Sequence, residues 1–324
     1  MNPFGFTETE RCELDALGSR IGEEHLRERI TLETDRDAHV FRRGTRFLDL
    51  DKWYSVALLR TGLKLTGLYG RAQRNALRIQ TRHNDVSLQK LPVEFDGLTL
   101  LHLSDLHLDM SEAHLARLIE CVQVLHCDLC VLTGDFRFAT AGAYAPALDA
   151  VATLRPHLNG PTYAVLGNHD TIRMVPRLEG LDIRLLLNES VRLERNGSAI
   201  HLAGVDDAHY FRTHDLRRAA RDIPDDACSI LLSHTPETYR DAADAGFDLM
   251  LCGHTHGGQI CLPGGVPILT DSEAPRTFAK GPWRFRGLTG YTSVGCGSSI
   301  LDVRINCLPE VTVHCLRRAP PTAG

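Results

Sequence analysis

Residues 247–258 read Phe247-Asp248-Leu249-Met250-Leu251-Cys252-Gly253-His254-Thr255-His256-Gly257-Gly258. A short apolar run stops at a glycine, and two histidines two residues apart follow. Such a run, bounded by turn residues, is the pattern of a strand buried on both faces. Four more apolar runs end in the same way. Leu98–Leu103 leads to Asp105-Leu106-His107, and Leu129–Thr133 to Gly134-Asp135. Tyr163–Leu166 leads to Gly167-Asn168-His169-Asp170, and Ser229–Leu232 to Ser233-His234. In an α/β fold, the loops at the carboxyl ends of parallel strands gather at one crevice. Carboxylates, imidazoles and an amide oxygen would then meet there, a donor set suited to a pair of divalent ions that hydrolyse.

The surrounding sequence supports an alternating fold. Ser111–Cys121 and Ala143–Leu154 have helical apolar spacing. Ile183–Leu187, Ala199–Ala203, Gly290–Val294 and Glu310–Cys315 read as further strands. Leu91-Pro92 and Phe95-Asp96-Gly97 introduce this region, so a catalytic domain is expected over 92–318, followed by a loose tail at 319–324.

Composition narrows the class. The chain has 324 residues, 43% of them hydrophobic and 24% charged, the usual balance of a globular protein. A net charge of −5 argues against a nucleic-acid binder. No secretory signal is visible, and no apolar stretch reaches the roughly 18 residues of a spanning helix. A cytoplasmic setting is therefore expected, with the ten cysteines as reduced thiols. Cys127 and Cys130 have CxxC spacing, but no second pair completes a zinc site.

Two stretches precede the catalytic region. Residues 1–51 carry twelve acids against eight basic residues, and a helical segment without legible chemistry is expected. Residues 52–90 carry eight basic residues and one acid. On a helical wheel Arg60, Lys64, Arg71, Arg74, Arg78 and Arg82 share one side, with Leu58, Leu65, Tyr69, Ala72, Ala76 and Ile79 opposite. A basic amphipathic helix over 52–91 is expected, with a break near Gly67–Gly70. Two readings stand open: a helix lying on an anionic membrane surface, or one packing its apolar face on the catalytic domain.

At the crevice each block supplies a distinct group. Asp105 and His107 can turn towards one ion, Asp135 has two oxygens to bridge two, and Asn168 adds an uncharged oxygen. His234, His254 and His256 add imidazole nitrogens. The motif glycines are expected to permit tight turns and close approach of a phosphate. His169 is placed to protonate a leaving oxygen, with Asp170 orienting its ring. His102 is expected to be a packed residue, and His209 and His214 are not counted as ligands. Arg137 is a candidate for a substrate phosphate.

Taken in order, Asp105-x-His107, Gly134-Asp135, Gly167-Asn168-His169-Asp170, His234 and Gly253-His254-Thr255-His256 resemble the calcineurin-like metallophosphoesterase superfamily. The strings 248–260 and 305–312 are similar to a bacterial branch of envelope-associated phosphodiesterases. The resemblance spans about 92–316 and implies a four-layer α/β sandwich with two central mixed β-sheets, here with a helical N-terminal region. It implies one ion on Asp105, His107, Asp135 and His256, and a second on Asp135, Asn168, His234 and His254. Manganese, iron and zinc all suit such donors. Two departures stand out: Phe136-Arg137-Phe138 replaces an acid common after the second motif, and the basic stretch stands where relatives have a membrane span.

The expected function is hydrolysis of a phosphodiester or diphosphate bond. A lipid-linked substrate such as UDP-diacylglucosamine is favoured by the basic stretch, with the enzyme peripheral on the inner face of the cytoplasmic membrane. Phosphodiesterase action on soluble nucleotides is the alternative, and a non-catalytic metal-binding module is a third.

Overall fold

The protein is described by a computed structural model at residues 8–35 and 53–320. It opens with helices α1 (Glu8–Ile21), α2 (Glu23–Thr34), α3 (Trp53–Leu65) and α4 (Tyr69–Ala76). Among the described residues fourteen strands follow: β1 (Gln80–Leu88), β2 (Thr99–Leu103), β3 (Leu129–Thr133), β4 (Thr162–Val165), β5 (Ile183–Leu185), β6 (Glu189–Arg195) and β7 (Ser198–Gly204), then β8 (Ser229–Leu232), β9 (Leu249–Cys252), β10 (Cys261–Leu262), β11 (Val266–Pro267), β12 (Gly281–Phe285), β13 (Leu288–Thr292) and β14 (Glu310–Arg318).

Two six-stranded mixed sheets form the centre, in the orders β1-β14-β2-β3-β4-β5 and β12-β13-β9-β8-β7-β6. Within the first, β2, β3, β4 and β5 run parallel, and in the second so do β7, β8, β9 and β13. Strand alternation explains the layering. Leu100, Leu129, Val131 and Val165 face Ile200, Leu202, Ile230 and Leu249 between the sheets. Leu101, Leu103 and Leu132 point the other way, into a second core with Leu118 and Leu148 from flanking helices. Met250, Cys252 and Val205 do the same on the outer side of the second sheet, against Tyr239 and Trp283. Because both faces are covered, these strands carry no polar alternation, and the sandwich has the four expected layers.

The five strands preceding the polar blocks lie close to their expected positions. Of the five strands that the pattern did not announce, β1, β6 and β12 are edges of the two large sheets, and β10 and β11 form a separate two-stranded hairpin. β1 (Gln-Thr-Arg-His-Asn-Asp-Val-Ser-Leu) buries only its last residues and pairs with β14 alone. An edge strand with a mostly solvated surface has no hydrophobic period to read.

This strand corrects the expected organisation. Residues 52–91 are not one amphipathic helix: α3 and α4 are separated at Thr66–Leu68, and 80–88 belongs to the first sheet. Gly67, with φ 71°, makes the break in the neighbourhood expected. The catalytic fold thus begins near residue 80 rather than 92. The apolar face also differs. Leu63 and Ala72 are buried with Leu301 and Val303, and Val56, Leu59 and Tyr69 pack beside them. Leu58 and Leu65, expected on the buried side, are 74% and 84% exposed.

The acidic N-terminal segment is helical, as α1 and α2, and its expected part over 36–51 lies outside the described residues. Leu14, Leu17, Ile21, Leu26 and Ile30 join the core on the outer side of the first sheet. Nine of the ten cysteines are buried or half-buried and none is disulfide-bonded; Cys12, on α1, is exposed.

His102 is the packed residue expected. Asn84 Nδ2 donates to His314 Nδ1 at 2.9 Å, His314 Nε2 meets His102 Nδ1 at 3.3 Å, and His102 Nε2 reaches Thr133 Oγ1 at 2.9 Å. Since the Asn84 amide nitrogen can only donate, this relay fixes both rings in neutral tautomers. Burial pushes His102 down to about 3, and burial with the His102 ring holds His314 well below the usual value. Between those values and the ordinary 6.5 or so, the unfolded chain binds more protons than the folded one. Stability is complete above about pH 6.5 and declines as pH falls, by at most about 1.4 kcal/mol per pH unit for each ring. Chemical denaturation of metal-free protein from pH 7 to 5 is expected to show a steeper decline for the wild type than for a His102→Leu/His314→Leu variant. Equal slopes would contradict neutral burial.

Candidate metal centre

The site lies where carboxyl ends of strands from both sheets converge. Asp105 and His107 follow β2, Asp135 follows β3, and Asn168 and His169 follow β4, all in the first sheet. His234 follows β8, and His254 and His256 follow β9, in the second. All seven expected donors come together. Asp105, His107 and His256 form one group whose donor atoms lie within 4.8 Å of one another, and Asp135, His234 and His254 form another. Asp135 also groups with His107 and His169, so its carboxylate stands between the two sets.

The individual distances define an electrostatic problem. His107 Nε2 lies 3.3 Å from His256 Nε2, and His256 Nε2 lies 3.5 Å from Asp105 Oδ1. Asp135 Oδ2 is 3.4 Å from His234 Nε2, 3.7 Å from His107 Nε2 and 3.8 Å from His169 Nε2. Asn168 Oδ1 is 2.9 Å from His234 Nε2. The outward ring nitrogens are already engaged: His107 Nδ1 donates to Arg137 O at 2.9 Å, His234 Nδ1 to Thr133 O at 2.7 Å, and His254 Nε2 to Asp271 O at 2.8 Å. Each of these carbonyls selects a tautomer and leaves the other nitrogen's lone pair facing inward. Lone pairs and carboxylates packed this closely need positive charge between them, which is the test that this donor set passes for cations.

The titration pattern agrees. Burial, with neighbouring imidazoles, keeps His107 below its usual value and His254 well below. Burial and Arg304 do the same for His256. These rings are therefore neutral, the form that ligates. Burial raises Asp135, but His169, His234 and His107 outweigh it and hold the carboxyl well below the usual range. Burial lowers His234, yet Asp135 overrides it and pushes the ring up to about 10. A proton so strongly demanded at that point occupies the place of a cation.

The backbone is bent to present these groups. Asp105, His107, Asp135, His254 and His256 have φ of 51°, 42°, 57°, 70° and 49°, in the left-handed region. Such conformations cost on the order of 1 kcal/mol each and gather where function requires them. Glycine serves the donors more directly than expected. A Cβ on Gly167 would fall on Asp135 Oδ1, and one on Gly253 on Ser104 Oγ and Asp105 Oδ2. The room expected for a phosphate is taken here by the protein's own carboxylates.

Two roles differ from the sequence reading. Asp170 was expected to orient His169. Its buried carboxylate instead accepts from Asp135 N at 2.8 Å, Gly167 N at 2.9 Å and Phe136 N at 2.9 Å, while His169 Nδ1 bonds Phe138 O at 2.5 Å. Arg137 was a candidate for substrate phosphate. It is buried, and its guanidinium donates to the carbonyls of His169, Thr140 and Gly142.

His209, not counted as a ligand from the sequence, lies at the rim, and Arg304 escaped the sequence reading altogether. The His209 ring is tilted against His254 at 4.1 Å and has Nδ1 3.1 Å from Glu237; with His254 and Asp271 it makes a further donor group. It follows β7, so the strand-end rule that located the other donors applies to it too. Arg304 is buried behind His256, donating to His256 O and Val294 O at 2.8 Å and lying 3.1 Å from His256 Nδ1. An arginine amid an apolar segment carries no spacing signal.

Comparison with known proteins agrees with this geometry. Residues 98–258 match the family model described as calcineurin-like phosphoesterase. The uncharacterized metallophosphoesterase YkoQ of Bacillus subtilis (strain 168) is 30% identical over 75% of this chain and 93% of its own. Phosphodiesterase YaeI of Escherichia coli (strain K12) is 29% identical over 57% of this chain and 69% of its own. A bovine (Bos taurus) protein named transmembrane protein with metallophosphoesterase domain is 29% identical over 86% of this chain and 67% of its own. Among the described residues, no helix is long and apolar enough to cross a membrane. The chain belongs to the calcineurin-like metallophosphoesterases, hydrolases of phosphoester bonds that work with two divalent metal ions.

Proposed function

We propose that Asp105, His107, Asp135 and His256 hold one divalent ion, and Asp135, Asn168, His234 and His254 the other, for cleavage of a phosphodiester or diphosphate. The observation that carries this reading is the convergence of the buried carboxylates of Asp105 and Asp135 with His107, His234, His254 and His256 in two donor groups, the donor atoms of each lying within 4.8 Å of one another. When bound, such ions lower the pKa of water and neutralise phosphoryl oxygens. The chain does the rest. Its glycine-bordered loops fix the donors, and the carbonyls behind His107, His234 and His254 hold each ring in register. His169 donates Nδ1–H to Phe138 O, so it is the imidazolium form, with a second proton on Nε2, that would deliver that proton to the leaving oxygen and return to the neutral ring.

The substrate we favour is lipid-linked, a nucleotide-diphospho-lipid of the UDP-diacylglucosamine type, met at the inner face of the cytoplasmic membrane. Support comes from the surface. Leu58, Leu65 and Leu68 are exposed on and just after α3, and Leu262, Val266, Ile268 and Leu269 on and after the β10–β11 hairpin. Both elements adjoin segment 301–306: Leu63 and Ala72 pack on Leu301 and Val303, and Ile260 bridges to Ile305. Arg60, Lys64, Arg71 and Arg74 are exposed on the same helices, at about 1 kcal/mol each near an anionic surface. A soluble phosphodiester is the second reading, favoured by the packing of Val56, Leu59 and Leu63 on the core, which gives α3 a structural task.

Three outcomes are expected. Asp135→Asn and Asn168→Ala should lower kcat on bis(p-nitrophenyl) phosphate with added manganese by at least about a hundredfold, more than loss of an outer partner costs. Activity near wild type in both would remove the ligand assignment. His169→Gln should lower kcat by about 10²–10⁴ for an alkyl leaving group and far less for nitrophenolate, which needs no proton. Equal losses on both would deny the ring its role at the leaving oxygen. In co-sedimentation, wild type should bind vesicles containing phosphatidylglycerol at low salt, and a Leu58→Ser/Leu65→Ser/Lys64→Gln variant should not. No binding by wild type would leave the soluble reading.

A further inference from the structure

The N-terminal helices lie outside the stretch matched by the family model, yet α2 reaches the rim of the metal centre. Arg29 is fully buried, its guanidinium 3.3 Å from the centre of the Phe211 ring. Nη2 donates to Asp170 O at 3.2 Å, and Nε lies 3.2 Å from Asp206 Oδ2. Asp170 is on the loop after β4, in the first sheet, and Asp206 on the loop after β7, in the second. One side chain thus staples together the two sheets whose strand ends supply the donors. Glu33, one turn further along α2, sits 3.4 Å from Arg29 Nη1. It accepts from Ile172 N at 2.7 Å and from Thr171 Oγ1. Three consecutive residues, Asp170, Thr171 and Ile172, are therefore tied to one helix, directly after Asn168 and His169. His25, at 3.2 Å from Asp206 Oδ2, completes the contact.

We propose that Arg29 and Glu33 are positioning residues of the metal centre, holding the 167–172 loop so that Asn168 and Asp135 meet His234 across the junction of the sheets. Their consequence falls on one ion, the one shared by Asp135, Asn168, His234 and His254; the proposal rests on that ligand assignment. Asp135 is common to both ions, and the donors that belong to the other ion alone are secured by different groups. Asp105 accepts from Ser104 Oγ at 2.7 Å and His254 N at 3.0 Å, and His256 is braced by Arg304. A lysine at position 29 keeps the charge but, as a point charge without the planar fork, cannot serve Asp170 O and Asp206 together.

The test is titration of Mn²⁺ into metal-free full-length chain by calorimetry, for wild type, Arg29→Lys and Glu33→Gln, with thermal unfolding and electron paramagnetic resonance on the same samples. Wild type should bind two ions and show a spin-coupled pair. Each variant should bind one ion about 10–100-fold more weakly, as loss of an outer partner typically does, and the other within about threefold. Its spectrum at limiting metal should then show uncoupled manganese. Unchanged affinities, or both ions weakening in parallel with stability, would overturn the proposal. Should Arg29→Lys fail to fold, Glu33→Gln carries the test alone; if neither folds, the contacts are structural and the proposal is lost. Failure of wild type to bind two ions would instead strike the ligand assignment itself.

Discussion

The centre depends on the carboxylate of Asp170. It is buried, contributes to neither donor group, and spends its oxygens on the backbone N–H groups of Gly167, Asp135 and Phe136. Those bonds lock the loop after β3 to the loop after β4, and so set the separation between Asp135 and Asn168. Without them, two loops bearing like-charged or lone-pair groups would have every electrostatic reason to part. Burial and the Asp135 charge push this carboxyl up to about 7, and the backbone N–H groups converging on it, Arg137 N included, work against that shift.

Around that knot, the molecule uses burial to decide protonation. His107, His254 and His256 are stripped of water and kept neutral, while Asp135 remains ionised because the imidazoles around it outweigh the cost of burying it. The same low-polarity setting strengthens any charge placed at the crevice. Main-chain carbonyls of Thr133, Arg137 and Asp271 supply the tautomer control that carboxylates often provide.

How much of this was legible depended on whether a residue acts through its type or through its neighbours. The donors were legible because Asp, Asn and His at the ends of apolar strands have no packing reason to be there, and the two-sheet sandwich followed from the resemblance those motifs carry. β1, β6 and β12 were not legible, because edge strands lack a buried period. Leu58 and Leu65 were assigned to the wrong side of α3: a helical wheel orders residues by angle but does not say which apolar arc meets the core. Arg29, Glu33 and Arg304 could not be found at all. Their role lies in which groups they reach at a distance along the chain, 141 residues for Arg29, 139 for Glu33 and 48 for Arg304, and no local pattern records that.

The left-handed backbone at Asp105, His107, Asp135, His254 and His256 bears on how such a protein can drift. Most side chains resist that conformation, whereas asparagine and aspartate tolerate it. Random replacement of a donor therefore disturbs the turn as well as the ion, and selection for folding alone will purge it. Relatives that have lost catalysis but kept the architecture should carry asparagine, aspartate or glycine at these places, a signature of descent that distinguishes a silenced enzyme from a scaffold that never held metal.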